Sequence, residues 1–309
     1  MKLRSLLFVP ADSERKLTRA ADVDADALIL DLEDAVSTEN KARARSMAVD
    51  FLAVRPGPTW VRINALGTPH ALADLAAIVR AAPDGIMLPK ADFAAMRRLH
   101  IMLDALEARE ALAANSIKLL PIATETPAAV LRLHEMVAPR RLPRMVALTW
   151  GAEDLSAELG ASTSRMQSGA FDVPYQAVRV QALLTARAAG VEPIETLHAD
   201  FRDLHGLAAD SARARTQGFT GRLAIHPDQV AVINTAFSPT EAEIAHARAV
   251  LAAFAAALGQ GTVALEGKML DAPHKRAAER VLAQARSGSQ EFTRHALVGA
   301  EQTVPETEV

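Results

Sequence analysis

The sequence predicts an α/β chain folded as a closed (β/α)8 barrel, a TIM barrel, with extra C-terminal helices. Three observations carry this expectation. Eight short apolar runs of β type alternate with longer Ala/Leu/Arg-rich stretches of helical spacing. Most runs are continuous rather than alternating in polarity, as expected of strands covered on both faces. Polar residues gather where the runs end, and in a parallel barrel all those ends share one face.

The first run covers residues 6–9 and meets Asp12, Glu14, Arg15 and Lys16 at once, which makes it too short for a secretory apolar region. Further runs follow at 27–32, 59–63, 85–88, 118–123, 145–149, 194–197 and 223–225. Helical spacing is clearest at 71–81, 93–114, 128–137 and 175–189. Eight strand–helix units in about 230 residues suit a right-handed parallel arrangement, for which a closed barrel is the economical form. An open doubly wound sheet is the competing topology, but no Gly-rich dinucleotide fingerprint follows the first run.

Residues 155–174 read as a long polar connection, placed to cover the barrel mouth or contact a partner. Residues 239–258 and 272–285 read as helices, the first opened by Ser238-Pro239-Thr240-Glu241. The expected organisation is a barrel over 1–235, a helical extension over 236–286 that carries Asp271, and a loosely held tail over 287–309.

Composition narrows the function. The 309 residues hold 34 Lys+Arg against 37 Asp+Glu, a net charge of −3, and only 4% are aromatic. This balance argues against a nucleic-acid surface, with neither a basic phosphate track nor stacking platforms. With no cysteine, disulfides, thiolate metal sites and a Cys nucleophile are excluded. No apolar run approaches the roughly 18 residues of a membrane span, so a cytoplasmic protein is expected by elimination. Serine hydrolase, zinc peptidase and P-loop signatures are absent from the sequence.

The run ends hold the candidate chemistry. The second run ends in Asp31, Glu33 and Asp34, the third in Arg62 and Asn64, the fourth in Lys90 and Asp92. The fifth ends in Glu125, the sixth in Glu153 and Asp154, the seventh in His198, the eighth in His226. Carboxylates crowded on one face are costly unless they bind a cation or each other. Glu125 and Asp154, from successive strands, suit Mg²⁺, which takes a few carboxylates and keeps water. Each could instead cap the helix that follows it, and the residues alone leave both readings open.

Arg62 can clamp a substrate oxygen with its planar fork, or pair with Glu33 or Asp34, and the two roles are compatible. Glu33 and Asp34 are supporting candidates; some of the acids near Arg62 must balance its charge. Lys41 and Arg45, four apart, read as a solvated face that could also meet a polyphosphate. Lys90 could form a Schiff base but reads rather as an ion-pair partner of Asp92. His226 suits a backbone hydrogen bond as well as a base, and His198 has a similar claim.

The same residues carry a family resemblance. Leu6-Leu7-Phe8-Val9-Pro10, Asp31-Leu32-Glu33-Asp34-Ala35-Val36, Val61-Arg62-Ile63-Asn64 and Leu88-Pro89-Lys90 resemble the citrate lyase beta-subunit-like branch of the HpcH/HpaI aldolase superfamily. So do Glu125-Thr126-Pro127, Gly151-Ala152-Glu153-Asp154-Leu155 and the segment from Gly218 to Pro227. The resemblance implies a (β/α)8 barrel with Glu125 and Asp154 as Mg²⁺ ligands. It makes Arg62 the charge-stabilising residue and Arg62 and Glu125 the substrate-binding ones. The ending Gly267-Lys268-Met269-Leu270-Asp271 implies a proton-handling Asp271, lent by a neighbouring subunit of a homo-oligomer, a trimer or hexamer.

The implied activity is a carbon–carbon lyase acting on a CoA thioester and a small 2-oxo acid. Alternatives are a citryl-thioester lyase, a malyl-CoA thioesterase and a non-catalytic CoA or 2-oxo-acid-binding module. Two departures from the family pattern stand out: Glu153 adds a charge beside the implied metal, and Ala11-Asp12-Ser13-Glu14-Arg15 lies in a loop expected near CoA.

Overall fold

A computed structural model describes residues 2–138, 142–257, 259 and 261–285. The predicted tail at 287–309 lies outside the described residues. The apolar runs become β1 (Ser5–Pro10), β2 (Ala27–Asp31), β3 (Thr59–Arg62), β4 (Gly85–Leu88), β5 (Lys118–Pro121), β6 (Ala147–Thr149), β7 (Glu192–Glu195) and β8 (Gly221–Ala224). Among the described residues these form one parallel sheet in the order β5-β4-β3-β2-β1-β8-β7-β6. Bridges between Leu119 and Met145 and between Ile122 and Thr149 join its two ends and close the barrel. The open doubly wound alternative is thereby set aside.

Strand side chains alternate between two cores. Leu6, Ala27, Ile29, Trp60, Met87, Leu120, Ile122, Ala147, Ile194 and Leu223 form the inner one. Their neighbours Leu7, Leu28, Leu30, Val61, Ile86, Leu88, Leu119 and Leu148 belong to the outer one, which they share with buried residues of the surrounding helices. Trp60 fits inside because Gly85 stands opposite: a Cβ there would lie 2.3 Å from the indole ring. Both faces of β1 to β6 are therefore largely apolar, which is why those runs are continuous, whereas β7 and β8 bury the charged Glu195 and Arg222.

The helices are α1 (Glu14–Ala21), α2 (Lys41–Val54), α3 (Ala71–Ile78), α4 (Phe93–Arg109), α5 (Pro127–Leu131), α6 (Ala152–Leu159), α7 (Val173–Ala189), α8 (Leu204–Gln217) and α9 (Pro227–Ala236). Several expected boundaries move. Helix α4 ends at Arg109 rather than near residue 114, because Ala111 is left-handed and Glu107 folds back to accept from the Asn115 and Ile117 amides. The stretch 155–174 is not all connection, since α6 continues to Leu159 before Gly160 ends it in a left-handed turn. Strands β7 and β8 begin two residues before their apolar runs. Backbone pairing extends over Glu192, whose N–H donates to the Val146 carbonyl, and over Arg222, whose N–H donates to that of Arg4.

The chain divides into two compact units, one spanning Leu3–Phe237 and a second that starts at Ser238. In the second, α10 (Glu241–Ala256) opens with a reciprocal cap between Thr240 and Glu243. An antiparallel hairpin, β9 (Val263–Leu265) with β10 (Lys268–Leu270), leads to helical residues 272–285. Ala247, Val250, Val263, Leu270 and Ala278 form its apolar centre. Among the described residues no helix is long and apolar enough to cross a membrane.

Candidate active site at the strand ends

Arg62 ends β3 with its guanidinium held from two sides. Its Nε and Nη2 donate to the two Asp31 oxygens at 2.8 and 2.6 Å, and Nη1 lies 3.2 Å from Glu33. The guanidinium also lies over the Phe8 ring, 4.7 Å from its centroid. Burial alone would favour the neutral form of Arg62, but its hydrogen bonds to Asp31 and the charges of Asp31, Glu33 and Asp34 overcome it and hold the group cationic. The expected pairing of Arg62 with Glu33 is present, and the alternative with Asp34 is not. Asp31 takes the main bond and Glu33 the second, while Asp34 faces solvent and acts only at a distance.

Lys90 follows β4 and links the remaining acids. Its Nζ donates to Glu33 at 2.9 Å and lies 3.6 Å from Asp154, while its backbone N–H donates to the Glu125 carboxylate. Asp92, its expected partner, instead caps α4 by accepting from the Ala95 amide at 2.7 Å. Glu33 is buried, which raises its pKa against the pull of Arg62 and Lys90.

Glu125 and Asp154 are brought together, and neither caps a helix. Thr126 caps α5, its hydroxyl accepting from the Ala129 amide, and Gly151 holds the cap position of α6. Burial pushes Glu125 up to about 8, aided by the nearby Asp154 and Glu33 carboxylates and opposed by the Lys90 amide. Lys90 contacts both carboxylates, its N–H donating to Glu125 and its Nζ lying 3.6 Å from Asp154. Two carboxylates this near in a half-dry site repel each other when ionised, and a hard divalent cation would relieve that repulsion. Among the described residues no group of three or more His, Cys, Asp or Glu side chains that could hold a metal ion occurs. A pair of this kind fits an ion that keeps several waters.

Gly151 makes room for Glu125. Its backbone is ordinary extended chain, yet a Cβ there would stand 2.9 Å from Glu125 Cγ and 3.3 Å from Ile122 Cγ2. Gly151→Ala is therefore expected to displace the Glu125 carboxylate and weaken divalent-cation binding, with the melting temperature of the cation-free chain nearly unchanged. Titration calorimetry with Mg²⁺ checks this; unaltered affinity would show that Glu125 can move aside freely.

Other candidates take structural roles. Lys41 is buried rather than solvated, and its ammonium donates to the Leu32 and Glu33 carbonyls at 2.7 Å each. Burial lowers its pKa against the pull of Asp31, Asp74 and Glu33. Arg45 pairs with Asp74 at 3.1 Å. The polyphosphate reading of this pair falls, since both cations turn inward. His226 caps α9, accepting from the Asp228 amide, and stacks on Phe201. His198 is buried, 3.6 Å from both Asp203 and Asp210. Glu153 is exposed on the first turn of α6. In the second unit, Asp271 is half-exposed with its Oδ1 2.6 Å from His274 Nδ1.

Sequence reading missed the bridging position of Lys90, the space supplied by Gly151 and the stacking of Phe8. Of these only Gly151 leaves a trace in the sequence, as a glycine directly after a strand-end tryptophan.

Residues 4–227 match the family described as HpcH/HpaI aldolase/citrate lyase. The chain is 36% identical over 289 residues to the (3S)-malyl-CoA thioesterase of Cereibacter sphaeroides, covering 91% of this chain and 94% of that one. It is 31% identical over 304 residues to the mitochondrial citramalyl-CoA lyase of Homo sapiens, covering 92% and 86%. A crystal structure of CitE from Mycobacterium tuberculosis, in complex with magnesium, acetoacetate and coenzyme A, superposes with a TM-score of 0.74 at 35% identity, covering 91% of this chain and 97% of that one. With its barrel, its charged strand ends and matches that span nearly its whole length, the chain belongs to the HpcH/HpaI aldolase/citrate lyase family and is an enzyme of the lyase type.

Proposed function

We propose that the chain is an Mg²⁺-dependent carbon–carbon lyase that cleaves or forms a 3-hydroxyacyl-CoA such as malyl-CoA or citramalyl-CoA. Its products would be acetyl-CoA and a 2-oxo acid, glyoxylate or pyruvate. The observation that carries this reading is the approach of Glu125 to Asp154 beside the doubly anchored Arg62. Glu125 and Asp154 would hold Mg²⁺, which supplies Lewis-acid stabilisation to the oxygens of the 2-oxo acid.

The chain's own residues have distinct tasks in cleavage. The 3-hydroxyl gives up its proton as its C–O bond becomes a carbonyl, and the carbon–carbon bond next to it breaks. The electron pair passes to the acetyl-CoA fragment, whose methyl carbon must gain a proton. Arg62 stabilises the negative charge that builds on oxygen. Asp271 delivers the proton to the methyl carbon, or removes it in the condensing direction. In a homo-oligomer, a trimer or hexamer, Asp271 of one subunit serves the barrel of the next.

Direct support comes from mixing the protein with Mg²⁺, acetyl-CoA and glyoxylate or pyruvate, then seeking new CoA adducts by mass spectrometry. Silence with both acceptors would overturn the reading. A second reading is favoured by the 36%-identical malyl-CoA thioesterase. Malate released from malyl-CoA without glyoxylate would select it.

The raised pKa of Glu125 gives a pH signature for cation binding. A carboxyl that titrates at about 8 when folded, against an ordinary 4.5, keeps its proton in the folded chain across that window. The cation-free chain therefore loses stability as pH rises from about 4.5 to about 8. Mg²⁺ needs the ionised pair and offsets this loss. The Mg²⁺-induced rise in melting temperature is expected to be larger at pH 8.5 than at pH 6.5, read by scanning fluorimetry. An equal rise at both would rule out Glu125 as a ligand.

A further inference from the structure

Lys90 has a φ of 48°, a left-handed conformation that disfavours any residue with a Cβ. That backbone turn aims both of its polar ends at the site. The N–H fixes Glu125, and the ammonium reaches between Glu33 and Asp154, which come from different strand ends. An ammonium has three N–H donors. Glu33 takes one at 2.9 Å, whereas Asp154 at 3.6 Å is an ion pair beyond good hydrogen-bond length. The guanidinium of Arg62 is clamped by Asp31 and Glu33, and its side chain is 13% exposed against 38% for Lys90. Lys90 is thus the more accessible of the two cations, with donors to spare.

We propose that Lys90 binds the carboxylate of the 2-oxo acid and so selects an acid over a neutral aldehyde. When a divalent ion takes up the charge of Asp154, the ammonium keeps Glu33 as its anchor and turns its remaining N–H groups to the incoming carboxylate. This assignment rests on the lyase reading for the identity of the acid. A lysine that only holds the acids together predicts something different. Its removal would weaken cation binding, whereas removing a binding lysine takes away a positive charge that opposes the cation.

The test is titration calorimetry of the full chain, first with Mg²⁺ alone and then with pyruvate, glyoxylate and oxaloacetate at saturating Mg²⁺. Lys90→Met removes the ammonium and leaves the amide that holds Glu125. Lys90→Gly does the same and suits the left-handed backbone, so it guards against a folding defect. Both variants are expected to bind Mg²⁺ as tightly as the unaltered chain or more tightly. Both should bind the oxo acid roughly tenfold to a hundredfold more weakly, the range for a lost charge-assisted hydrogen bond. Lys90→Arg should recover part of that loss. Oxo-acid affinity within about twofold of the unaltered chain, or joint loss of Mg²⁺ and oxo acid in Lys90→Gly, would overturn the assignment. Failure of the unaltered chain to bind any of the three acids with Mg²⁺ would overturn the lyase reading and this assignment with it.

Discussion

Asp271→Asn is expected to lower turnover by about 10²–10⁴-fold with Mg²⁺ affinity unchanged, the range for loss of a positioned general acid–base group. An amide cannot take up or return the methyl proton of acetyl-CoA, but it matches the carboxyl in shape. Its oxygen can still accept from His274 Nδ1, which lies 2.6 Å from Asp271 Oδ1, so the local contact survives. The proposed cation ligands, Glu125 and Asp154, follow β5 and β6 and are not altered by this substitution. Steady-state kinetics beside Mg²⁺ calorimetry makes the comparison. Full turnover in Asp271→Asn would remove this residue from the reaction.

Replacing Arg62 by Met is expected to damage both stability and rate. The guanidinium is the principal partner of Asp31, which is itself buried, and it neutralises part of the charge on Glu33. Removing one partner of a buried ion pair costs about 3–5 kcal/mol, because the other is left without compensation. Denaturant titration measures that term. The rate should fall by about 10²–10³-fold, the range for one lost donor to a developing oxyanion. Arg62→Lys tests geometry apart from charge, since an ammonium cannot span both Asp31 oxygens as the fork does. Activity retained in Arg62→Lys would mean that charge alone suffices.

The two variants also report on assembly. If Asp271 serves a neighbouring barrel, co-expressing Arg62→Met with Asp271→Asn places intact pairs of residues across some interfaces, and part of the activity returns. Absence of any recovery in mixed oligomers would confine Asp271 to its own chain.

Much of this arrangement was legible in the sequence. Continuous apolar runs mark strands covered on both faces, and acids and bases directly after them mark the face where chemistry collects. Arg62, Glu125 and Asp154 stand out on that ground. The starts of β7 and β8 moved because pairing outlasted hydrophobicity, at Glu192 and Arg222. Residue type alone left Glu125 and Asp154 as caps or ligands. The cap reading falls because Thr126 and Gly151 occupy the cap positions themselves.

What the sequence determined by itself was the count and order of the strands and which polar residues reach the barrel face, because periodicity and run length are local properties. Only the tertiary structure decided who pairs with whom. Glu33 turns inward and Asp34 outward although they are adjacent, and Lys41 is buried although its helix reads as basic and solvated. Lys90 finds Glu33 across 57 residues of chain and Asp154 on another strand end, and it leaves Asp92 to cap a helix. Such choices depend on distances fixed by closure of the sheet and on one left-handed backbone turn, and neither is written in the composition of any single segment.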